Sequence, residues 1–240
     1  MRREETRVFP LKDENPTSRA AWMTWLILAA NVAVFGWEIW LKARGGDAAL
    51  SSFLSAYSFD PSALAASPFS PSVWITVLTS MFLHSGWVHI GGNMLYLAIF
   101  ANNIEDRIGH GWFLAFYLGC GVIAALVQAA GSGFAPALML GASGAIAGTL
   151  GAYLVLFPRA RVLTAIWVFV FVELARLPAW ILIGLWFLVQ LGSGIASVDP
   201  ATSASGGVAY LAHVGGFLAG MALITPAWLA ARRGRFVAWR

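Results

Sequence analysis

Along most of this chain, apolar residues run in blocks of about twenty, broken by short polar or Pro/Gly-rich stretches. A helix needs about 20 apolar residues, rising ~1.5 Å each, to cross a hydrocarbon layer ~30 Å thick. The blocks predict six such helices. The first covers residues 22–41, with Glu38 near its far end. The second begins at about Val73 or Leu83 and runs to Asn102, ahead of a polar turn containing Asn103, Glu105, Asp106 and Arg107. The third covers 112–131 and ends where Gly131, Gly133 and Pro136 break the chain. The fourth covers about 138–157 and stops at Pro158 and Arg159. The fifth covers 178–196 and the sixth 207–231, joined by a Ser/Asp/Pro/Gly turn at 197–206.

Four segments lie outside this pattern. Residues 1–21 are polar and basic, with no small-residue cleavage site after an apolar core, and read as a cytoplasmic tail rather than a removable signal. Residues 42–72 contain Gly45, Gly46, Pro61, Pro68 and Pro71, yet also Phe53, Leu54, Tyr57, Phe59 and Phe69. A polar linker needs none of those apolar groups, so this first loop is expected in the membrane interface. Residues 162–177 are apolar but carry Glu173 and Arg176, and are read as a second interfacial segment. Residues 232–240 form a basic cytoplasmic tail.

Composition narrows the class. The chain is 59% hydrophobic and 11% charged, with a mean hydropathy of +0.74. A soluble domain carries about 25% charged residues, so a water-exposed surface cannot be built from this composition. The expected fold is a single all-α integral membrane domain, a six-helix bundle over residues 22–231. The single cysteine, Cys120, excludes an internal disulfide and reads as a small buried hydrophobe. A net charge of +4 without a basic stripe of interleaved aromatics excludes nucleic acid as a partner.

The charges instead set orientation. With six spans, Arg2, Arg3, Arg7, Lys12, Arg19, Arg107, Arg159, Arg161, Arg232, Arg233, Arg235 and Arg240 share one side. Lys42 and Arg44 fall on the other, and Arg176 is unassigned. Twelve against two places both termini in the cytoplasm. The expected location is a prokaryotic plasma membrane. Parity then puts His84 and His89, Ser143 and His213 early in spans that all run from outside to inside, at one depth below the outer surface.

Polar groups in lipid are costly and point to function. Ser143 in Gly141-Ala142-Ser143-Gly144 and His213 in Ala212-His213-Val214-Gly215-Gly216 are a hydroxyl and an imidazole within membrane-length apolar blocks. Gly141, Gly144, Gly148 and Gly151 repeat at i, i+3, i+7 and i+10, and Gly216 and Gly220 follow His213 by three and seven residues. Glycine stripes let helix backbones approach closely in lipid. Two such faces packed together bring Ser143 within reach of His213, which can take its proton as general base and later protonate a leaving amine. No carboxylate is expected at that depth, so the pattern reads as a dyad. His89 and Asn93, at i and i+4, share a face and can both donate to an oxyanion, together with free N–H groups at the start of the fourth helix. His84 holds water or simply sits at the interface, and His110 belongs to a polar loop. His84 and His89 differ by i+5, about 140° apart on one helix, and no His-Glu-x-x-His run occurs, which argues against a metal. No cofactor is expected.

In combination, Gly141-Ala142-Ser143-Gly144, Ala212-His213-x-x-Gly216-x-x-x-Gly220 and His89-x-x-x-Asn93 resemble the rhomboid family of intramembrane serine proteases, over about residues 22–231. The resemblance implies Ser143 as nucleophile, His213 as base, His89 and Asn93 as oxyanion stabilisers, and a cavity open to the outer side. His84 matches a further histidine often found ahead of span two in that family. The implied substrates are other membrane proteins whose transmembrane helices unwind easily, cut after a small residue. By analogy, span five and loop 42–72 are candidates for a lateral gate. Two departures stand out: the first loop reads Trp74-Ile75-Thr76 without the arginine many relatives carry, and Ala147 stands where some relatives stack a tyrosine on the catalytic histidine. A non-catalytic helix-binding protein of the same kind has no need of both Ser143 and His213. A transporter using His84, His89 and Asn93 would favour internal repeats, and none is visible.

Overall fold

The computed structural model describes residues 7–168, 171–197 and 209–232. The expected turn at 197–206 and the tails at 1–6 and 233–240 lie wholly or mostly outside them. Eight α-helices and one small sheet occur among the described residues: β1 (Arg7–Asp13), α1 (Trp22–Tyr57), α2 (Pro61–Ala66), α3 (Pro71–Thr79), α4 (Trp87–Ile108), α5 (His110–Gly131), α6 (Ser143–Leu156), β2 (Arg161–Val168), β3 (Phe171–Pro178), α7 (Ala179–Ser197) and α8 (Tyr210–Arg232).

Length and apolar composition qualify α1 and α5 as membrane-crossing helices. A third candidate is α3 with the 3₁₀ turn Ser80–Phe82, followed by α4, but the two are bent by 85°. That bend resolves the ambiguous start of span two: 71–82 and 87–108 are separate helices. Leu83, His84, Ser85 and Gly86 form the break between them. Helix α6 and the apolar stretches Ala179–Ile195 of α7 and Tyr210–Pro226 of α8 are shorter.

Three expectations need correction. The chain is not all-α, because β1, β2 and β3 form an antiparallel sheet in that order. Val8 pairs with Ile166, Phe9 with Ala165, and Ala165 in turn with Leu174. Within residues 162–177, read as an apolar interfacial stretch, 162–168 and 171–177 belong to two strands of this sheet, and Val162 and Thr164 turn inward at the strand period of two. Residues 7–13 of the polar tail are its edge strand. The first helix does not stop at residue 41 but continues to Tyr57, changing direction at Gly46, whose φ of 68° and ψ of −168° interrupt the helix. Only α2 and α3 break up the rest of loop 42–72. Asp60 starts α2 by accepting from the Ser62 N–H, with Pro61 at the first helical position.

The sheet stands where α1 begins, α6 ends and α7 begins. Asp13 is buried there and accepts from the Asn103 amide (2.6 Å) and the Tyr153 hydroxyl (3.0 Å). Arg176 donates to Glu14 at 2.6 Å, which puts this unassigned cation at the end of the bundle where the N-terminal strand lies. Glu105, buried near the end of α4, accepts from the Met23 and Thr24 N–H groups (2.8 and 2.7 Å), from the Thr24 hydroxyl, and from His110. It supplies the cap that α1 lacks from its own sequence, since Ala21 has no polar side chain to offer.

The core lies around α6, which is buried from Gly144 to Tyr153. Its glycines allow this. A Cβ on Gly216 would strike the Gly144 carbonyl, one on Gly220 the Gly148 carbonyl, and one on Gly151 the Phe217 carbonyl. Helices α6 and α8 thus touch backbone to backbone, as the paired stripes require. Gly141 does not belong to that stripe: it precedes α6, with a φ of 122°.

Candidate functional site

Ser143 is the first residue of α6, and its entry is held on two sides. The Gly141 N–H donates to the Ser80 carbonyl at 2.8 Å. Upstream, Met139 and Phe59 exchange a pair of backbone hydrogen bonds. Ile146 is the first residue of α6 whose N–H reaches a carbonyl four residues earlier, that of Ala142, so the N–H groups of Ser143, Gly144 and Ala145 have no partner within the helix.

His213 enters from α8, one turn past its start. The Gln128 side chain on α5 accepts from the Ala212 N–H at 3.0 Å and steadies that turn. The close α6–α8 contact sets the depth and rotation of both residues. The Ser143 hydroxyl lies 2.7 Å from Nε2 of His213. On the far side of the ring, Nδ1 lies 2.7 Å from Oε1 of Gln190 on α7. An amide oxygen only accepts, so Nδ1 carries the proton and Nε2 is left to accept from the serine. The ring is buried, and Trp186 covers it with centroids 5.9 Å apart and planes tilted by 34°. Tyr210 meets its edge at 6.4 Å. Trp186 thus supplies the aromatic neighbour that Ala147 cannot.

His89 is half-buried in the first turn of α4. The Ser85 N–H and hydroxyl lie 3.4 and 3.0 Å from its Nδ1. A backbone N–H only donates, so Nδ1 accepts and Nε2 carries the hydrogen. That nitrogen faces Gly141: a Cβ there would come within 2.7 Å of it and 3.8 Å of the Ser143 hydroxyl. Here glycine is needed twice, for its positive φ and for the room given to the ring.

Asn93 and His84 are both buried, and the structure brings them to each other. The Asn93 amide donates to Nε2 of His84 at 3.0 Å, while Nδ1 of His84 faces the Phe82 carbonyl at 3.3 Å. The His84 N–H donates to the buried carboxylate of Glu38 at 3.2 Å. His84 is therefore not opposite His89 on one helix, as the i+5 spacing implied; it precedes α4, and the two rings meet edge to face at 5.1 Å. Among the described residues, no group of three His, Cys, Asp or Glu side chains is placed to hold a metal ion. His110 is drawn to Glu105, away from these groups.

A cavity opens beside Ser143, walled by Val77, Met81, Gly121, Ala125, Met139 and Ala209. Its walls are small or apolar.

Sequence reasoning missed Gln190, Ser85 and Trp186 as neighbours of the two imidazoles. Gln190 did leave a signal: an amide inside an apolar helix needs a partner.

The fold and this arrangement define a helical membrane protein with a hydroxyl–imidazole pair in its interior. The rhomboid domain family model matches residues 71–229, and the chain belongs to the rhomboid family. It is 30% identical over 227 residues to the rhomboid protease GluP of Bacillus subtilis, covering 94% of this chain and 38% of that protein. It is 28% identical over 204 residues to the mitochondrial rhomboid protein 1 of Saccharomyces cerevisiae, covering 83% and 51% respectively. RHOMBOID-like protein 5 of Arabidopsis thaliana is 28% identical over 160 residues, 58% of this chain and 52% of that protein. The chain thus spans about half or less of the length of these relatives.

Proposed function

We propose that this chain is an intramembrane serine endopeptidase that cleaves transmembrane segments of other membrane proteins. The observation that carries this reading is the 2.7 Å contact between the Ser143 hydroxyl and the unprotonated Nε2 of a buried His213. A serine hydroxyl is a weak nucleophile until a base beside it takes its proton, and this geometry supplies one. Oγ attacks the scissile carbonyl as its proton moves to Nε2. The free N–H groups at the start of α6 and the Nε2–H of His89 face the developing oxyanion. Asn93 keeps one amide hydrogen beyond the one it gives to His84, and shares that role. His213 returns the proton to the leaving amine, and water then releases the acyl group. The cavity beside Ser143, lined mostly by small and apolar residues, takes the small side chain that precedes the cut. The bilayer and the substrate helix are the partners, and the chemistry uses no cofactor. The membrane domain covers 22–231 with six crossings, and both termini lie in the cytoplasm of a prokaryotic plasma membrane. Arg176 now joins the cation-rich side.

The test uses purified protein in detergent with a labelled transmembrane substrate whose helix is destabilised by Gly or Pro. Cleavage is expected from wild type and lost in Ser143→Ala and His213→Ala. A fluorophosphonate probe labels wild type and leaves Ser143→Ala unmarked. Cleavage that persists in both variants removes these residues from the site. Wild type that neither cleaves nor reacts with the probe overturns the protease reading.

A further inference from the structure

Among the described residues, no carboxylate hydrogen-bonds the His213 ring, yet the ring has only one nitrogen left once Nε2 faces the serine. We propose that Gln190 is the positioning residue for His213: its side-chain oxygen selects the tautomer and aims the ring at Ser143. The inference rests on Ser143 and His213 acting as nucleophile and base.

Three observations support it. The contact is short, 2.7 Å, and lies on the side of the ring opposite the serine, so Oγ, the imidazole and the amide form one continuous chain. Gln190 and Trp186 are four residues apart on α7, so one helix face supplies both the hydrogen bond and the aromatic cover of the ring. Two nearby side chains do not bond the ring: Gln128 accepts from the Ala212 N–H, and the Tyr210 ring stands perpendicular to the imidazole.

The role needs an acceptor, not a charge. If the amide were turned so that its NH₂ met Nδ1, the hydrogen would sit on Nε2 and the serine would face a donor. With nothing at that position, the two tautomers compete and the ring is free to tilt in its pocket. An orienting partner acts on the chemical step rather than on substrate capture, and Gln190 does not line the cavity beside Ser143.

The experiment measures kcat and KM for wild type, Gln190→Leu and Gln190→Glu in the full chain, each normalised to sites titrated with the fluorophosphonate. Gln190→Leu is expected to lower kcat roughly 10- to 100-fold with KM within about twofold. Gln190→Glu keeps an oxygen at the same reach and restores most of the lost rate. Wild-type kcat in Gln190→Leu overturns the proposal, and so does an equal loss in both variants, which would mark Gln190 as a packing residue only. Failure of the underlying reading looks different: wild type would then react no faster than Ser143→Ala, whatever stands at position 190.

Discussion

Gly220 packs directly on the carbonyl of Gly148, so closely that a Cβ has no place between them. The same contact recurs a turn away between Gly216 and Gly144. Since Ser143 and His213 flank these pairs, the spacing of α6 and α8 controls the distance between hydroxyl and imidazole. Gly220→Ala is expected to wedge the helices apart and to cost about 1–3 kcal/mol as overpacking. Cleavage should fall more than the folded fraction does, because a shift of ~1 Å at a reacting pair is enough to lose most of the rate. Gly36→Ala in α1 is the control. Nothing lies within 4 Å of a Cβ there, and the change should be neutral or stabilise by about 0.5–1 kcal/mol. Unfolding titrations and cleavage rates on the two variants decide this.

Removing a single oxyanion donor typically costs about 10²–10³ in kcat. Nε2 of His89 lies against Gly141, on the side where the Ser143 hydroxyl also approaches. His89→Ala is therefore expected to lose about 10²-fold or more in kcat. Asn93→Ala should lose less, since one of its hydrogens serves His84. Equal rates for Asn93→Ala and wild type would remove Asn93 from the reaction.

Glu105 accepts hydrogen bonds on both oxygens from the first turn of α1. Glu105→Gln places an NH₂ where one of those donors points, leaving a buried N–H unpaired. A loss of about 1–3 kcal/mol of stability is expected. The protein that remains folded should label with fluorophosphonate at the wild-type rate, because Glu105 bonds to α1 and His110 and not to the site.

Burial in the sheet holds the Asp13 carboxyl above its ordinary value near 3.8, against the opposing effect of its bonds from Tyr153 and Asn103. The sign follows from linkage. Below the ordinary value the carboxyl is neutral in both folded and unfolded chains, and no penalty arises. Once pH passes the raised folded value the carboxylate is charged in both, and burial disfavours the fold. Wild-type stability relative to Asp13→Asn should therefore fall as pH rises from the ordinary carboxylate range toward neutrality. A Tm difference that is flat, or that widens in favour of wild type, contradicts this.

Much of the site is legible in the residues themselves. Ser143 and His213 stand out because a hydroxyl and an imidazole are expensive in lipid. The glycines at 144, 148, 151, 216 and 220 indicate which helix faces meet. His89 is legible from its place ahead of Asn93 on one helix turn. The sheet is not, because an apolar run such as 162–168 has the same composition in a strand as in a membrane-interface segment, and only pairing to residues 7–13 distinguishes them. The extension of α1 past residue 41 is hidden by Gly45 and Gly46, which read as a stop although Gly46 only redirects the helix.

Composition and spacing alone determined that this chain is a membrane protein, which helices could touch, and which hydroxyl and imidazole could react. Those properties depend on residue type and period, and both are written along the chain. The rest depended on rotation and on close approach between distant segments. Gly141 left its stripe to face His89, the Asn93 amide turned to His84, and α7 set Gln190 and Trp186 around His213. An i+4 spacing names a helix face, but only packing against neighbouring helices decides what that face meets.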